Sequence, residues 1–297
     1  MSAIFQILER SGAASALGIL VLVMISALVP AGCNNLELQS RWRDRMVLID
    51  GENSEWQEAL THLEDENVSV GILNDSTYLY VTILSTNRQL WGQIRRQGMT
   101  LWFDPAGGKE KVFGVHFPMG LSERGEMRGR TGQKEMSENR DFMREQFEEA
   151  LTELEILGPV ENTSAKSTVK DAEAQDIYVN LNAAQNGFVY ELRIPLESGP
   201  EHPVAIGTKT GGLIGVRLET PEIDMSMMGE RGREREGPPS GGMGRGMPPG
   251  GGPPGMGRPG GGPRREAPKA LKVWAKVRLA TAASAAQEQT ESNAMSK

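Results

Sequence analysis

The chain has 297 residues, a formal charge of −7, and only 5% aromatic residues beside 36 Gly and 17 Pro. That length suits one large domain or two small ones, and the Gly/Pro content marks stretches that do not pack. The acidic balance argues against nucleic acid as the main partner, and a single cysteine excludes an internal disulfide or a Cys-based zinc site.

The run SGAASALGILVLVMISALVPAG, ending at Gly32, carries no charge, and Glu9 and Arg10 are the only charges before Cys33. Such a run enters a membrane as a signal peptide or as a short anchor. The small pair Ala31-Gly32 before Cys33 resembles a bacterial lipobox, with Pro30 where Leu is usual and Leu28-Val29 just upstream. The resemblance implies removal of residues 1–32 and acylation (palmitate or a similar chain) at Cys33, which is then the lipid attachment site. Each buried methylene contributes about 0.8 kcal/mol, so several acyl chains hold a protein to a bilayer. An uncleaved transmembrane anchor is the alternative. Both place the rest of the chain on the exported side of the cell envelope, and the lipoprotein reading places it at the outer membrane if the cell is Gram-negative.

Residues 33–45 read as a polar tether. From Met46 short apolar runs alternate with turns. MVLID reads as a strand ending at Asp50-Gly51, and SEW places Trp56 as a core anchor. VSVGILND and STYLYVTILS alternate Val68, Val70, Ile72 and Leu79, Val81, Ile83 around an Asn74-Asp75-Ser76 turn. GMTLWFDPAGGKEKVFGVHFP reads as two strands about the turn at Asp104. Residues 120–170 look like a partly helical insertion. In it Met143, Phe147, Ala150, Leu151, Leu154 and Leu157 recur at helical spacing before the stop at Gly158-Pro159. Strands resume in DIYVNLN and GFVYELRIPL, with Ile177, Val179, Leu181 and Phe188, Tyr190, Leu192, Ile194 facing inward, then in IGVRLETP and LKVWAKVRLA. The Gly/Pro/Met-rich residues 225–268 cannot bury enough apolar surface to offset their ordering entropy, so disorder is expected there and in the polar tail 281–297. The expected fold is all-β: an antiparallel β-sandwich over 46–280 with one inserted amphipathic helix and a long disordered loop.

The ordered set IDGENSEW, GILNDSTYLYVTI, GMTLWFDPAGG, GFVYELRIPL, IGVRLE and WAKVRLA resembles carbohydrate-binding module family 9 and related DOMON-like domains. The resemblance implies two antiparallel sheets and a cleft made by loops at one edge. Sugar-binding members clamp a sugar between two Trp rings, because pyranose C–H faces stack on aromatic rings while hydroxyls need fixed polar partners. Carried onto this chain, the first clamp falls at Trp91, with Arg95 beside it, and Thr100 stands where members often have an acidic residue. The loop that would carry the second clamp holds no Trp. Trp274 shares a strand face with Lys272, Lys276 and Arg278. It reads either as a stacking platform or as a residue covered by the acidic amphipathic helix.

Other chemistry has less support. His62, His116 and His202 are scattered without metal spacing. His116 and Met119 match the His/Met pair with which some DOMON-like domains hold haem. Met225, Met227, Met228, Met243, Met247 and Met256 offer thioethers of the kind that bind Cu(I). Asp50, Asp75 and Asp104 lie in turns and need no calcium to explain them. There is no Ser/His/Asp set, phosphate loop or catalytic carboxylate pair. The resemblance carries over the fold but, without the second clamp Trp, not sugar binding. The sequence therefore points to a non-enzymatic, lipid-anchored envelope protein with a binding or scaffolding sandwich and no cofactor, carbohydrate or another envelope component being its candidate partner. An exported copper- or haem-binding protein is the second reading, and an accessory domain of an enzyme is the third.

Overall fold

A computed structural model of the chain describes residues 36–121, 136–158, 164–184, 187–222 and 269–295. The expected signal peptide, Cys33 and the 225–268 loop with its methionines lie outside the described residues.

Among the described residues, thirteen strands form two sheets. In chain order they are β1 (Leu36–Gln39), β2 (Arg41–Trp42), β3 (Leu60–Leu63), β4 (Val68–Asn74), β5 (Tyr78–Ser85), β6 (Thr100–Asp104), β7 (Phe113–His116), β8 (Glu153–Leu157), β9 (Ser164–Thr168), β10 (Tyr178–Ala184), β11 (Gly187–Pro195), β12 (Leu213–Glu219) and β13 (Lys272–Arg278). The helices are α1 (Arg88–Gln97), α2 (Met136–Ala150), α3 (Val169–Glu173) and α4 (Ala282–Met295). One sheet has seven strands in the order β1-β13-β12-β6-β7-β8-β9. The other has the order β10-β11-β5-β4-β2, with β3 also paired to β4. The chain is an all-β sandwich, as its alternating pattern predicts. The pairing is antiparallel in the strands that make the core, and β2 runs parallel to the end of β4.

Period-two alternation fills the middle. Leu101, Phe103, Phe113, Val115, Val216, Leu218, Ile214 and Val277 of the seven-stranded sheet are all buried, as are Val70, Ile72, Val81, Ile83, Leu181, Tyr190, Leu192 and Ile194 of the other. Phe117 and Tyr190 meet at 6.1 Å between ring centres.

The six-stranded sheet carries a second apolar layer on its outer face. Residues Met46–Asp50, expected as a strand, instead run as irregular chain. Val47 and Trp56 pack there with Leu73 and Tyr80. Gly71 makes this possible: a Cβ at that position would stand 3.0 Å from Trp56 Cε3 and 2.7 Å from Thr82 Cγ2. The strand pattern fails at 46–50 because the segment buries one face against a finished sheet and pairs with no neighbour. Trp56 is fully buried, as its reading as a core anchor predicts. Its indole N–H donates to Glu191 Oε1 at 2.6 Å, while the Gly51 backbone N–H donates to Oε2 at 2.6 Å. Asp50-Gly51 is the expected turn, with Gly51 at φ +81° and Asn182 Cβ only 2.4 Å from where its own Cβ would be.

Three further expectations are corrected. Residues 36–42 form β1 and β2, so the polar stretch read as a tether joins the sheets from Leu36 onward. Ser40 Oγ donates to the buried amide oxygen of Asn74, and the Ser40 N–H donates to the Arg278 carbonyl at 3.0 Å. The helix read through Leu157 ends at Ala150. Residues 153–157 are strand β8, because Leu154 and Ile156 alternate with half-buried Glu153, Glu155 and Leu157. The region 120–170 is thus more than a helical insertion: β8 and β9 extend the seven-stranded sheet past β7. In the tail 281–297, Ala282–Met295 is helix α4, which opens with Thr281 Oγ1 accepting from the Ser284 N–H at 3.1 Å.

Burial pushes the Glu191 carboxyl up to about 7, against the pull of its two N–H donors. A folded-state value above the ordinary carboxylate value means that ionisation weakens the fold. The stabilisation is complete below the ordinary value near 4.5 and is lost as pH rises through about 7. Urea unfolding at pH values from about 5 to about 8 should show wild type losing stability relative to Glu191→Gln as pH rises; a difference that does not change with pH would contradict this.

Candidate functional site

Helix α1 starts at Asn87, whose side chain accepts from the N–H groups of Gln89 and Leu90, and it ends at Gly98 with φ +73°. The i,i+4 spacing puts Trp91 and Arg95 on one face. Together with Met143 and Phe147 of α2 and Leu181 of β10 they line an open groove of about 700 Å3. The Trp91 ring is already engaged there. It stacks on Phe188 at 5.8 Å, meets Phe147 edge-on at 5.3 Å, and carries the Arg95 guanidinium 5.9 Å from its centre. Trp91 is therefore a packing residue that fastens α1 and α2 to the sandwich. Phe147 of the amphipathic helix meets Trp91, while Trp274, for which cover by that helix was one of two expectations, has Arg217 beside its ring.

Thr100 lies on the outer side of β6, buried to 8% exposure, and its hydroxyl is 2.8 Å from His116 Nδ1. His116 and Met119, considered for haem, are both buried. Among the described residues no group of three His, Cys, Asp or Glu side chains stands close enough to hold a metal ion. The turn aspartates do what turn chemistry predicts: Asp75 accepts from the Thr77 and Tyr78 N–H groups, Asp104 from Ala106 and Glu110, and Asp50 from Glu52.

Trp274 is half-buried on the outer face of the seven-stranded sheet. The β12 register pairs Arg217 with Trp274 on one side and with Trp102 on the other, and Trp102 pairs with Gly114 of β7. One row across four strands thus reads Gly114, Trp102, Arg217, Trp274. A Cβ at Gly114 would stand 2.7 Å from Trp102 Cε3, so the indole lies down over the glycine and is itself only half-buried. Two strand steps separate the Trp positions, about 10 Å. Charged groups bind the row together. Lys111 Nζ lies 5.3 Å from the Trp102 ring centre and 2.5 Å from Glu219 Oε2; Arg217 donates to Glu219 Oε1 at 2.8 Å and stands 5.7 Å from the Trp274 ring centre. Lys272 pairs with Glu222 at the edge.

Of the predicted site residues, Trp91 and Arg95 come together in the groove, while Thr100 and Trp274 share the outer face of the seven-stranded sheet. Trp102 was not among them. Its signal was present in TLWFD: alternation puts Thr100, Trp102 and Asp104 on the face opposite buried Leu101 and Phe103.

No family model matches the chain, and no curated protein matches it. The search of solved structures finds similarity to a carbohydrate-binding module family 9 from Caldicellulosiruptor kristjanssonii. In its complex with glucose the identity is 13%, the match covers 64% of this chain and 80% of that one, and the TM-score is 0.30. In its complex with cellotriose the identity is 13%, coverage is 64% and 78%, and the TM-score is 0.29. A protein from Bacteroides uniformis proposed to bind carbohydrate is 11% identical, with 63% and 84% covered and a TM-score of 0.33.

Two substitutions separate the packing Trp from the outer-face row. Trp91 is half-buried with its ring against Phe147 and Phe188, so Trp91→Ala should lower unfolding free energy by about 1–3 kcal/mol. Gly114→Val should move the Trp102 indole off its seat and shift the intrinsic fluorescence to the red, at a cost of about 1–3 kcal/mol; an unchanged spectrum would contradict the placement of that ring.

Proposed function

We propose that this chain is a non-enzymatic, lipid-anchored protein of the cell envelope whose sandwich binds carbohydrate across the outer face of its seven-stranded sheet. The observation that carries the reading is the row Trp102, Arg217, Trp274, with two half-buried indoles on one sheet face and Gly114 beneath one of them. A sheet whose other face is already full gains no core from these rings. Pyranose C–H faces stack on indoles, and the Lys111, Glu219 and Arg217 side chains between them supply the fixed donors and acceptors that hydroxyls require. The spacing of two strand steps, about 10 Å, lets both rings engage one extended saccharide of more than a single ring. Metal or haem binding through Met and His residues is the second reading, but no described residue set favours it.

Lipid attachment at Cys33 anchors the domain to the membrane on the exported side, a reading supported by the uncharged run and the Ala31-Gly32-Cys33 sequence. Mass spectrometry of the mature protein should find an N-terminal acylated Cys33 peptide; an intact Met1 terminus would refute the anchor.

Titration of the purified domain with a panel of soluble oligosaccharides should give saturable binding. Trp102→Ala and Trp274→Ala should each weaken it at least tenfold, about 1.4 kcal/mol, and Trp91→Ala, corrected for its lower stability, should not. Loss confined to Trp91→Ala would return the site to the groove beside α1.

A further inference from the structure

The outer face of the six-stranded sheet has its own patch that no described residue covers. Trp56 lies over the row Glu191, Thr82, Gly71. The next outward row is Val189, Leu84, Ser69, and the apolar layer stops short of it. Leu84 and Val189 are consequently left half-exposed at the floor of a recess of about 320 Å3. Its rim holds the side chains of Asn53, Asn67, Asn182 and His62. No Asp, Glu, Lys or Arg lines this recess, in a chain of which 24% is of those four types.

Three features define what such a recess accepts. The aliphatic floor favours a C–H face over a polar or ionic one. The amides each supply donors and an acceptor, so the rim matches groups that both give and take hydrogen bonds, which hydroxyls do and carboxylates or ammonium groups do not. The volume stands at the lower end of small-ligand sites, enough for one ring and its first waters. The rim is also held in place. Asn182 Nδ2 donates to the Gly51 carbonyl at 3.3 Å, His62 Nδ1 is 3.1 Å from Ser69 Oγ, and Asn67 sits at φ +54° with its carbonyl accepting from Ser85 Oγ at 2.8 Å.

We propose that this recess is a second ligand site, taking a single neutral sugar ring whose C–H face rests on Leu84 and Val189 while its hydroxyls bond to the Asn53, Asn67 and Asn182 amides. It lies on the opposite sheet from the Trp102–Trp274 row and stands or falls independently of it. The two sites would let one domain hold a chain on one face and a ring on the other.

The test is a chemical-shift titration of the isotope-labelled domain with glucose, galactose, mannose and N-acetylglucosamine. At least one sugar should shift the amides of Leu84, Val189 and Asn67 in a saturable way. Asn53→Asp with Asn67→Asp, at two exposed turn positions, should weaken that binding at least tenfold, and Ser69→Tyr, which fills the recess, should abolish it. Trp102→Ala should leave it unchanged. If Ser69→Tyr fails to fold, the paired Asp variant decides. Absence of shifts at these amides with all four sugars, or shifts that the paired variant leaves intact, would overturn the proposal; oligosaccharide binding at the Trp row would be untouched by that result.

Discussion

The register of β12 between β6 and β13 is the constraint on which the rest depends. Arg217 faces Trp102 on one neighbour and Trp274 on the other, while Val216 faces Phe103 and Ala275. A slip of one residue on either side would drive an indole into the core and a core residue into water. The register is therefore fixed by the cost of the inner face, and the outer row comes as its consequence. Gly114 in that row, and Gly215 in the row of Asp104 and Lys276, keep the outer face thin. A Cβ at Gly114 would strike Trp102, and one at Gly215 would strike the Gly108 carbonyl at 2.3 Å.

The two sheets differ in how they treat their outer faces. The six-stranded sheet is roofed by the N-terminal segment, with Trp56 held down by the buried Glu191 carboxyl and by the absence of a side chain at Gly71. A buried carboxyl is costly unless its oxygens are bonded, and here the Gly51 and Trp56 N–H groups supply those bonds. Among the described residues, the seven-stranded sheet carries no such roof over half-buried Trp102 and Trp274. Cations drawn from β12 and from the 105–112 turn stand beside the rings instead. Glu219 holds both cations in place, whereas Trp91 is packed against the rings of Phe147 and Phe188.

Much of the fold was legible in the chain. The inward sets of β4, β5, β10 and β11 follow from strict alternation, and Trp56 was recognisable as a core residue. The misreadings share a cause. MVLID alternates like a strand because it too buries one face, but backbone pairing leaves no mark on such a pattern. Leu154 and Leu157 extend a helical period by coincidence, while ELEIL alternates equally well; periodicity alone does not separate the two over so few residues. The site was harder to see. Trp91 and Arg95 stand out through family resemblance, yet the pattern gives no sign that the Trp91 ring stacks on Phe188 and meets Phe147 edge-on. Trp102 became significant only when the register set it beside Arg217 and Gly114, residues far away in the chain.

The central claim is that the Trp102–Arg217–Trp274 row is a glycan-binding surface. The chain has five Trp residues, so the indole N–H resonances of Trp42, Trp56, Trp91, Trp102 and Trp274 can be assigned and followed during titration with an oligosaccharide that binds. The account predicts that the Trp102 and Trp274 signals move together and saturate at one affinity while Trp56 and Trp91 hold still. Movement of Trp91 with Trp102 and Trp274 unmoved would contradict it.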